Sequence, residues 1–174
     1  MRPVWVLMAL AACGSSMPAG GDAGGDGNDA NLDDANDICS GQCKNTSVAL
    51  MFQTNRTLDS AYYGTTFDAT TLRIEAYRKA NPGCPTTGMA NPDYKLILGE
   101  VNPATPDSNM STANIVDLKG DLLGGPLGLA ATGKQITLVA AVDGSFIAVD
   151  VMLTFSSGTA MGHIYATHCA TLDM

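Results

Sequence analysis

The strongest structural signal in this chain is Ile136-Thr137-Leu138-Val139-Ala140-Ala141-Val142-Asp143-Gly144-Ser145-Phe146-Ile147-Ala148-Val149-Asp150-Val151-Met152-Leu153-Thr154-Phe155. Two apolar runs, 136–142 and 146–155, flank Asp143-Gly144, and glycine tolerates the positive φ that a tight turn needs. This pattern predicts an antiparallel β-hairpin. A second turn, Ser156-Ser157-Gly158, leads into a further run over residues 160–169, so we expect three consecutive strands here.

Further strands are predicted upstream, where apolar and polar residues alternate in short runs. These runs lie at residues 48–52, 72–77, 94–101 and 113–118. Turn residues separate them, most densely in the loop over residues 102–109. Residues 120–133 are apolar but broken by glycines, and they predict a packed irregular loop.

The run at residues 72–77 allows two interpretations. As a strand it places Leu72, Ile74 and Ala76 on a core face, and Arg73, Glu75 and Tyr77 on a face open to water. As a helix it would be capped by Asp68 and would end at Asn81-Pro82. Ile74 falls off the apolar stripe of that helix, which favours the strand.

About seven short strands separated by turns predict an all-β domain over residues 39–174. The expected architecture is an antiparallel β-sandwich, Ig-like or jelly-roll-like. A small closed barrel is the alternative. The domain is long enough to bury a core of its own.

The beginning of the chain is typical of an export signal. One positive charge at Arg2 precedes the apolar run Val4–Leu10, which is too short to span a bilayer. Leu10-Ala11-Ala12-Cys13 resembles the lipobox of bacterial lipoproteins, and all four positions match. The alternative is a buried N-terminal strand in which the cysteine is incidental.

The lipobox resemblance implies that residues 1–12 are a signal peptide and that Cys13 becomes the lipidated N-terminus. The lipid would be a diacylglyceryl group with acyl chains such as palmitate, and it would tether the chain to a membrane. In Gram-negative lipoproteins an Asp after the cysteine favours the inner membrane. The Gly14 at this position therefore implies the outer membrane.

Residues 13–38 are predicted to be a solvated, acidic stalk. This segment is rich in Gly, Asp and Asn, and it buries too little apolar surface to offset its ordering entropy. Its oxygen-rich residues also suggest calcium. The EF-hand pattern fails, however, because a loop starting at Asp26 has Ala30 at its fifth position and Asn31 at the required glycine.

Four cysteines follow the stalk, and in an exported domain an even set predicts disulfides. They are Cys39, Cys43, Cys84 and Cys169. A zinc site is disfavoured, because Cys39 and Cys43 do not have the usual two-residue spacing. A disulfide stabilises a domain more when it closes a longer loop of the unfolded chain. We therefore expect Cys43 to pair with Cys169 and Cys39 with Cys84.

Charge excludes nucleic acid as a partner. The formal net charge is −8, and six of the 17 acidic residues precede residue 39, where Arg2 is the only base. No run of Lys or Arg offers the surface that nucleic acid requires.

Sequence patterns of catalytic and metal sites are weak, so we predict no catalytic residue, metal or cofactor. His163 and His168 differ by an odd number and should lie on opposite faces of a strand. Ser156-Ser157-Gly158 lacks the leading glycine of a nucleophile elbow. Asp150 lies on the weaker face of its strand, where it is expected to meet solvent.

Aromatic residues near turns suggest a binding surface. Tyr62, Tyr63 and Tyr94 could stack on sugars or anchor a partner, although edge aromatics more often cover a core. We therefore expect a cell-envelope lipoprotein whose domain is a non-catalytic binding or structural module, with an unknown protein or glycan as ligand. The alternatives are a carbohydrate-binding module and, less favoured, a secreted hydrolase.

Overall fold

The computed structural model describes residues 38–78, 83–86, 88–125 and 127–174. Two short 3₁₀ turns, Gly41–Lys44 and Ala170–Leu172, lie at the two ends of these residues. Between them are ten strands: β1 (Ser47–Met51), β2 (Asn55–Leu58), β3 (Ser60–Thr65), β4 (Leu72–Arg78), β5 (Tyr94–Val101), β6 (Thr112–Asp117), β7 (Leu127–Ala130), β8 (Gly133–Val142), β9 (Phe146–Phe155) and β10 (Gly158–His168). The predicted all-β class is confirmed, and all seven predicted strands are present.

Strand β10 is the centre of the sheet. One of its edges pairs with β9 along its whole length, and its other edge pairs first with β1 and then with β3. The path continues through β4, β5 and β6 to β7, while β8 pairs with β9. The β10–β3 pair is parallel, so the expectation of a wholly antiparallel arrangement was wrong at this point.

The sheet curls because one short connection joins its two arms. One arm runs from β3 through β4, β5 and β6 to β7, and the other consists of β9 and β8. The N–H of Ala131 donates to the carbonyl of Ala113 on β6, at 2.8 Å. The N–H of the next residue, Thr132, donates to the carbonyl of Thr154 on β9, at 2.7 Å. The chain thus leaves one arm and enters the other within two residues.

The prediction of an irregular loop over residues 120–133 was wrong in part, because β7 lies within it. This strand contains Gly128, and its side chains are mostly exposed. A strand that contributes so little to the core has no alternating pattern, which is why the sequence did not reveal it.

The larger of two hydrophobic clusters among the described residues contains side chains from both arms of the sheet. Fully buried members from six strands are Val48, Leu50, Ile74, Leu96, Leu98, Ile115, Val149, Leu153 and Ile164. Each such side chain contributes about 1.5–3 kcal/mol by leaving water. The predicted alternation is confirmed in β1, where every second residue is buried, and in β5 from Tyr94 to Leu98.

The opposite face of β4 differs from the prediction. Glu75 is only 2% exposed and Tyr77 only 4%, although both were expected to face water. Residues 85–86 and 89–92 and the C-terminal 3₁₀ turn lie over this face. The hydroxyl of Thr171 donates to the carbonyl of Pro85 and joins the two segments.

All four cysteines of the domain form disulfides, as predicted, but the predicted pairing was wrong. Cys39 bonds to Cys43, because the 3₁₀ turn between them brings their Cα atoms to 5.3 Å. Cys84 bonds to Cys169 at the end of β10, with a Cα–Cα distance of 5.5 Å. The predicted lipidation site, Cys13, and the predicted stalk up to residue 37 lie outside the described residues.

Candidate binding cleft

A hydrogen-bonded turn forms one rim of a cleft in the described part of the chain. Asp68 accepts hydrogen bonds from the hydroxyl of Thr66 at 2.7 Å, and from the hydroxyl and N–H of Thr70 at 2.8 and 3.0 Å. These bonds hold the pKa of the Asp68 carboxyl well below its usual range. Ala69 adopts the left-handed region, at φ 53°, and Phe67 is 88% exposed. The turn therefore presents an aromatic ring to solvent from a backbone that hydrogen bonds hold in place.

The opposite rim is also fixed by hydrogen bonds. Met110, which precedes β6, is 70% exposed. The Nζ of Lys134 donates to the Oγ of the adjacent Ser111, at 2.7 Å, and to the carbonyl of Ser108. Glu100, near the end of β5, has φ 53° and also lines the cleft.

Backbone strain is concentrated at this cleft. Ala69 and Glu100 are the two non-glycine residues with positive φ among those that the structure describes. One belongs to the turn at one rim, and the other lines the cleft directly. Such conformations cost about 1–3 kcal/mol each and recur at ligand sites. Their position therefore points to this cleft as the functional surface.

The floor of the cleft is formed by the β4–β5–β6 part of the sheet. Arg73, Gly99 and Thr112 line it, and the enclosed volume is about 640 Å³. A Cβ at position 99 would come within 2.7 Å of the Thr112 Oγ1, so the glycine lets the strands approach closely at the floor.

Arg73 also borders a second cavity of about 420 Å³, where a buried carboxylate holds it in place. Glu75 accepts hydrogen bonds from Arg73 Nε at 2.7 Å, from Lys95 Nζ at 2.9 Å and from the hydroxyl of Tyr77. These interactions fill the positions around both carboxylate oxygens. Glu75 thus orients Arg73 beneath the cleft.

The pKa values within this cluster agree with its geometry. Burial alone would raise the pKa of Glu75, but the hydrogen bonds from Tyr77, Lys95 and Arg73 outweigh it, and the net shift is downwards. Burial, reinforced by the bond to Glu75, raises the pKa of Tyr77. At neutral pH the carboxylate is therefore ionised and the phenol protonated.

Comparison with protein-family models, curated proteins and solved structures finds no match for this chain. A search of the described residues for a helix long and apolar enough to cross a membrane also finds none.

The tyrosines that were considered as a binding surface lie away from this cleft. Tyr63 and Tyr94 are buried, at 4% and 0% exposure. Tyr62 is half-buried, and its hydroxyl accepts a hydrogen bond from the N–H of Gly83 at 2.9 Å. The favoured interpretation, that these aromatics cover the core, is confirmed for Tyr63 and Tyr94, whereas Phe67 is exposed. The sequence signal for Phe67 was a lone aromatic among the turn-forming residues Thr66 and Asp68.

The two histidines are held apart by different partners. His163 Nδ1 lies 2.7 Å from Asp150 Oδ1, and its Nε2 lies 2.9 Å from the carbonyl of Cys43. His168 Nε2 lies 3.2 Å from Asp173 Oδ1. Asp150 is exposed, as predicted. In the described ranges, no group of three or more His, Cys, Asp or Glu residues is placed to hold a metal ion.

Proposed function

We propose that this chain is a cell-envelope lipoprotein, anchored through Cys13, whose domain binds a protein partner in the cleft without catalysis. The lipobox resemblance of residues 10–13 supports the anchor, and Gly14 favours the outer over the inner membrane. The stalk, residues 13–38, would hold the domain away from the membrane surface. The observation that carries the binding function is the exposure of Phe67 and Met110 on the two rims of one cleft.

Exposed apolar rims favour binding because water is a poor environment for them. Large aromatic and methionine side chains are enriched where partners meet, and they contribute most of the energy there. The hydrogen bonds of Asp68 and Lys134 hold both rims before any partner arrives. Binding would therefore cost little additional ordering.

The charges at the cleft indicate the chemistry of the partner. Of the charged side chains that line it, Asp68 and Glu100 are acidic and Arg73 is basic, so the lining carries a net negative charge. We infer an apolar segment of a protein that carries at least one Lys or Arg. A glycan, the alternative ligand, is less well supported because Tyr63 and Tyr94 are buried.

The state of the buried carboxylate supports a function without catalysis. A general acid needs a proton to give, and a nucleophile needs an open approach. Glu75 offers neither, since its oxygens accept bonds from Arg73, Lys95 and Tyr77. For the fold, we propose that the two arms of the curled sheet pack as the layers of a sandwich, which the shared core supports.

The anchor is tested by metabolic labelling with a fatty-acid analogue followed by detergent partitioning. Wild-type chain should take up the label and enter the detergent phase. The Cys13→Ser variant should do neither, and its melting temperature should be unchanged, because the domain's disulfides are made by other cysteines. Wild-type chain that stays unlabelled in the aqueous phase would contradict the anchor.

The cleft is tested by panning a displayed peptide library on the full chain carrying Cys13→Ser. A matched selection uses the same chain with Phe67→Ser and Met110→Ser, which leaves Asp68 and Lys134 in place. Apolar peptides with Lys or Arg should be enriched on the first chain only. Equal enrichment on both chains, or enrichment of acidic peptides, would refute the proposal.

A further inference from the structure

A second unusual surface lies on the outer face of β1, β10 and β9, away from the cleft. Three methionines stand there, with exposures of 39% for Met51, 38% for Met161 and 56% for Met152. They project from the side of the strands opposite the core residues Leu50 and Ala160. Strands normally favour β-branched and aromatic residues, so three exposed thioethers in one place call for an explanation.

The strand register places these methionines together. Met161 on β10 lies directly opposite Met152 on β9. On the other side Met161 lies opposite Ala49, and Met51 is two residues further along the same face of β1. Directly opposite Cβ atoms are about 4.5–5.5 Å apart and diagonal neighbours about 7–8 Å. Because a methionine side chain has three rotatable bonds, the three sulfurs can meet above Met161.

We propose that Met51, Met152 and Met161 form a binding site for a soft monovalent metal ion, Cu(I), through three thioether sulfurs. Thioethers are soft ligands that select Cu(I) over the hard cations that carboxylates prefer. The sheet holds the three Cα positions in register, which supplies the preorganisation that three separate side chains require.

The other side chains that could bind a metal here are already bonded or are poor ligands for Cu(I), so the three methionine sulfurs are the donors. His163 lies two residues from Met161 on the same face, but its two ring nitrogens contact Asp150 and the carbonyl of Cys43. The four domain cysteines are in disulfides and offer no thiolate. Asp150 is an oxygen ligand, which is a poor match for Cu(I).

The experiment measures Cu(I) binding under anaerobic conditions by competition with the coloured chelator bathocuproine disulfonate. The protein is the full chain with Cys13→Ser, which removes the one cysteine outside the domain. It should withhold one Cu(I) per chain from the chelator. Met161→Leu keeps the apolar volume and removes the sulfur. It should weaken binding at least about tenfold, a loss that even an outer-shell change causes.

The triple variant, Met51→Leu with Met152→Leu and Met161→Leu, should lose binding altogether. The matched control is Met110→Leu, an exposed methionine of the cleft, which should bind Cu(I) like the parent chain. A parent chain that withholds no copper, or a triple variant that binds like the parent, overturns the proposal.

A second measurement avoids any dependence on folding of the variants. Ag(I), a redox-inert substitute for Cu(I), is added to the Cys13→Ser chain labelled with ¹³C at the methionine methyl groups. The methyl signals of Met51, Met152 and Met161 should shift together and saturate at one equivalent. Shifts at other methionines instead, or no shift, overturn the site.

Discussion

Replacing Glu75 by Gln should destabilise the domain strongly. The carboxylate is 2% exposed and accepts bonds from Arg73, Lys95 and Tyr77. Removing one member of a buried ion pair costs about 3–5 kcal/mol. Here the two cations keep exposures of 32% and 26%, so water can partly solvate them. We therefore expect about 2–3 kcal/mol, a fall in melting temperature of roughly 8–12 °C for a domain of this size.

The loss of stability in the Glu75→Gln variant should depend on pH in a defined direction. The pKa of Glu75 is lower in the folded state than usual, because hydrogen bonds outweigh the opposing effect of burial. The folded state therefore favours the ionised form. Its contribution is complete above the unfolded pKa of about 4.3 and disappears as the pH falls through the folded pKa. The difference between wild type and Glu75→Gln should accordingly narrow below about pH 4.

Urea or thermal unfolding of both proteins between neutral and acidic pH provides the assay. The matched control is Glu100→Gln, since Glu100 is the other glutamate of the chain and is exposed. It should change stability by less than about 0.5 kcal/mol. Equal stability of Glu75→Gln and wild type at pH 7, or a difference that widens in acid, would refute this account of the cluster.

Three further changes have distinct expected outcomes. Replacing both Cys84 and Cys169 by Ser should cost about 4–5 kcal/mol on the chain-entropy model, because the bridge spans 85 residues, and urea titration would measure it. Deleting residues 23–33 should leave the melting temperature within error, because they contribute almost no apolar surface. Gly162→Ala should lower the melting temperature of the domain far more than Gly144→Ala. The new Cβ would lie 2.1 Å from a β1 carbonyl oxygen at the first site, whereas the second is open.

Local patterns predicted the strands that face the core on one side. Asp143-Gly144 located the turn between β8 and β9, and β9 has the predicted bounds, Phe146–Phe155. Strand β5 also has the predicted bounds, Tyr94–Val101. In these elements the residue pattern and the tertiary environment agree, so the period of two is visible in the sequence.

Features that depend on distant segments could not be predicted in this way. Glu75 has the sequence pattern of a solvent-facing strand residue. Its burial comes from residues 85–86 and 89–92, and the bridge from Cys84 to Cys169 holds this part of the chain near the end of β10. Asp68 was considered as a helix cap, but it organises the turn that displays Phe67. Both side chains take their roles from partners that only the folded chain brings together.

The pairing of β10 with β1, β3 and β9 also determines when the domain can form. Ser47 on β1 pairs with His163 on β10. The edge of β1 that faces β10 therefore lacks its hydrogen-bond partners until the last strand is present. Contacts between residues so distant in sequence slow folding, because the entropy cost of closing the long loop comes before the contacts that stabilise the structure. A chain that leaves the ribosome or a translocation channel N-terminus first would therefore remain unfolded until nearly all of it had emerged.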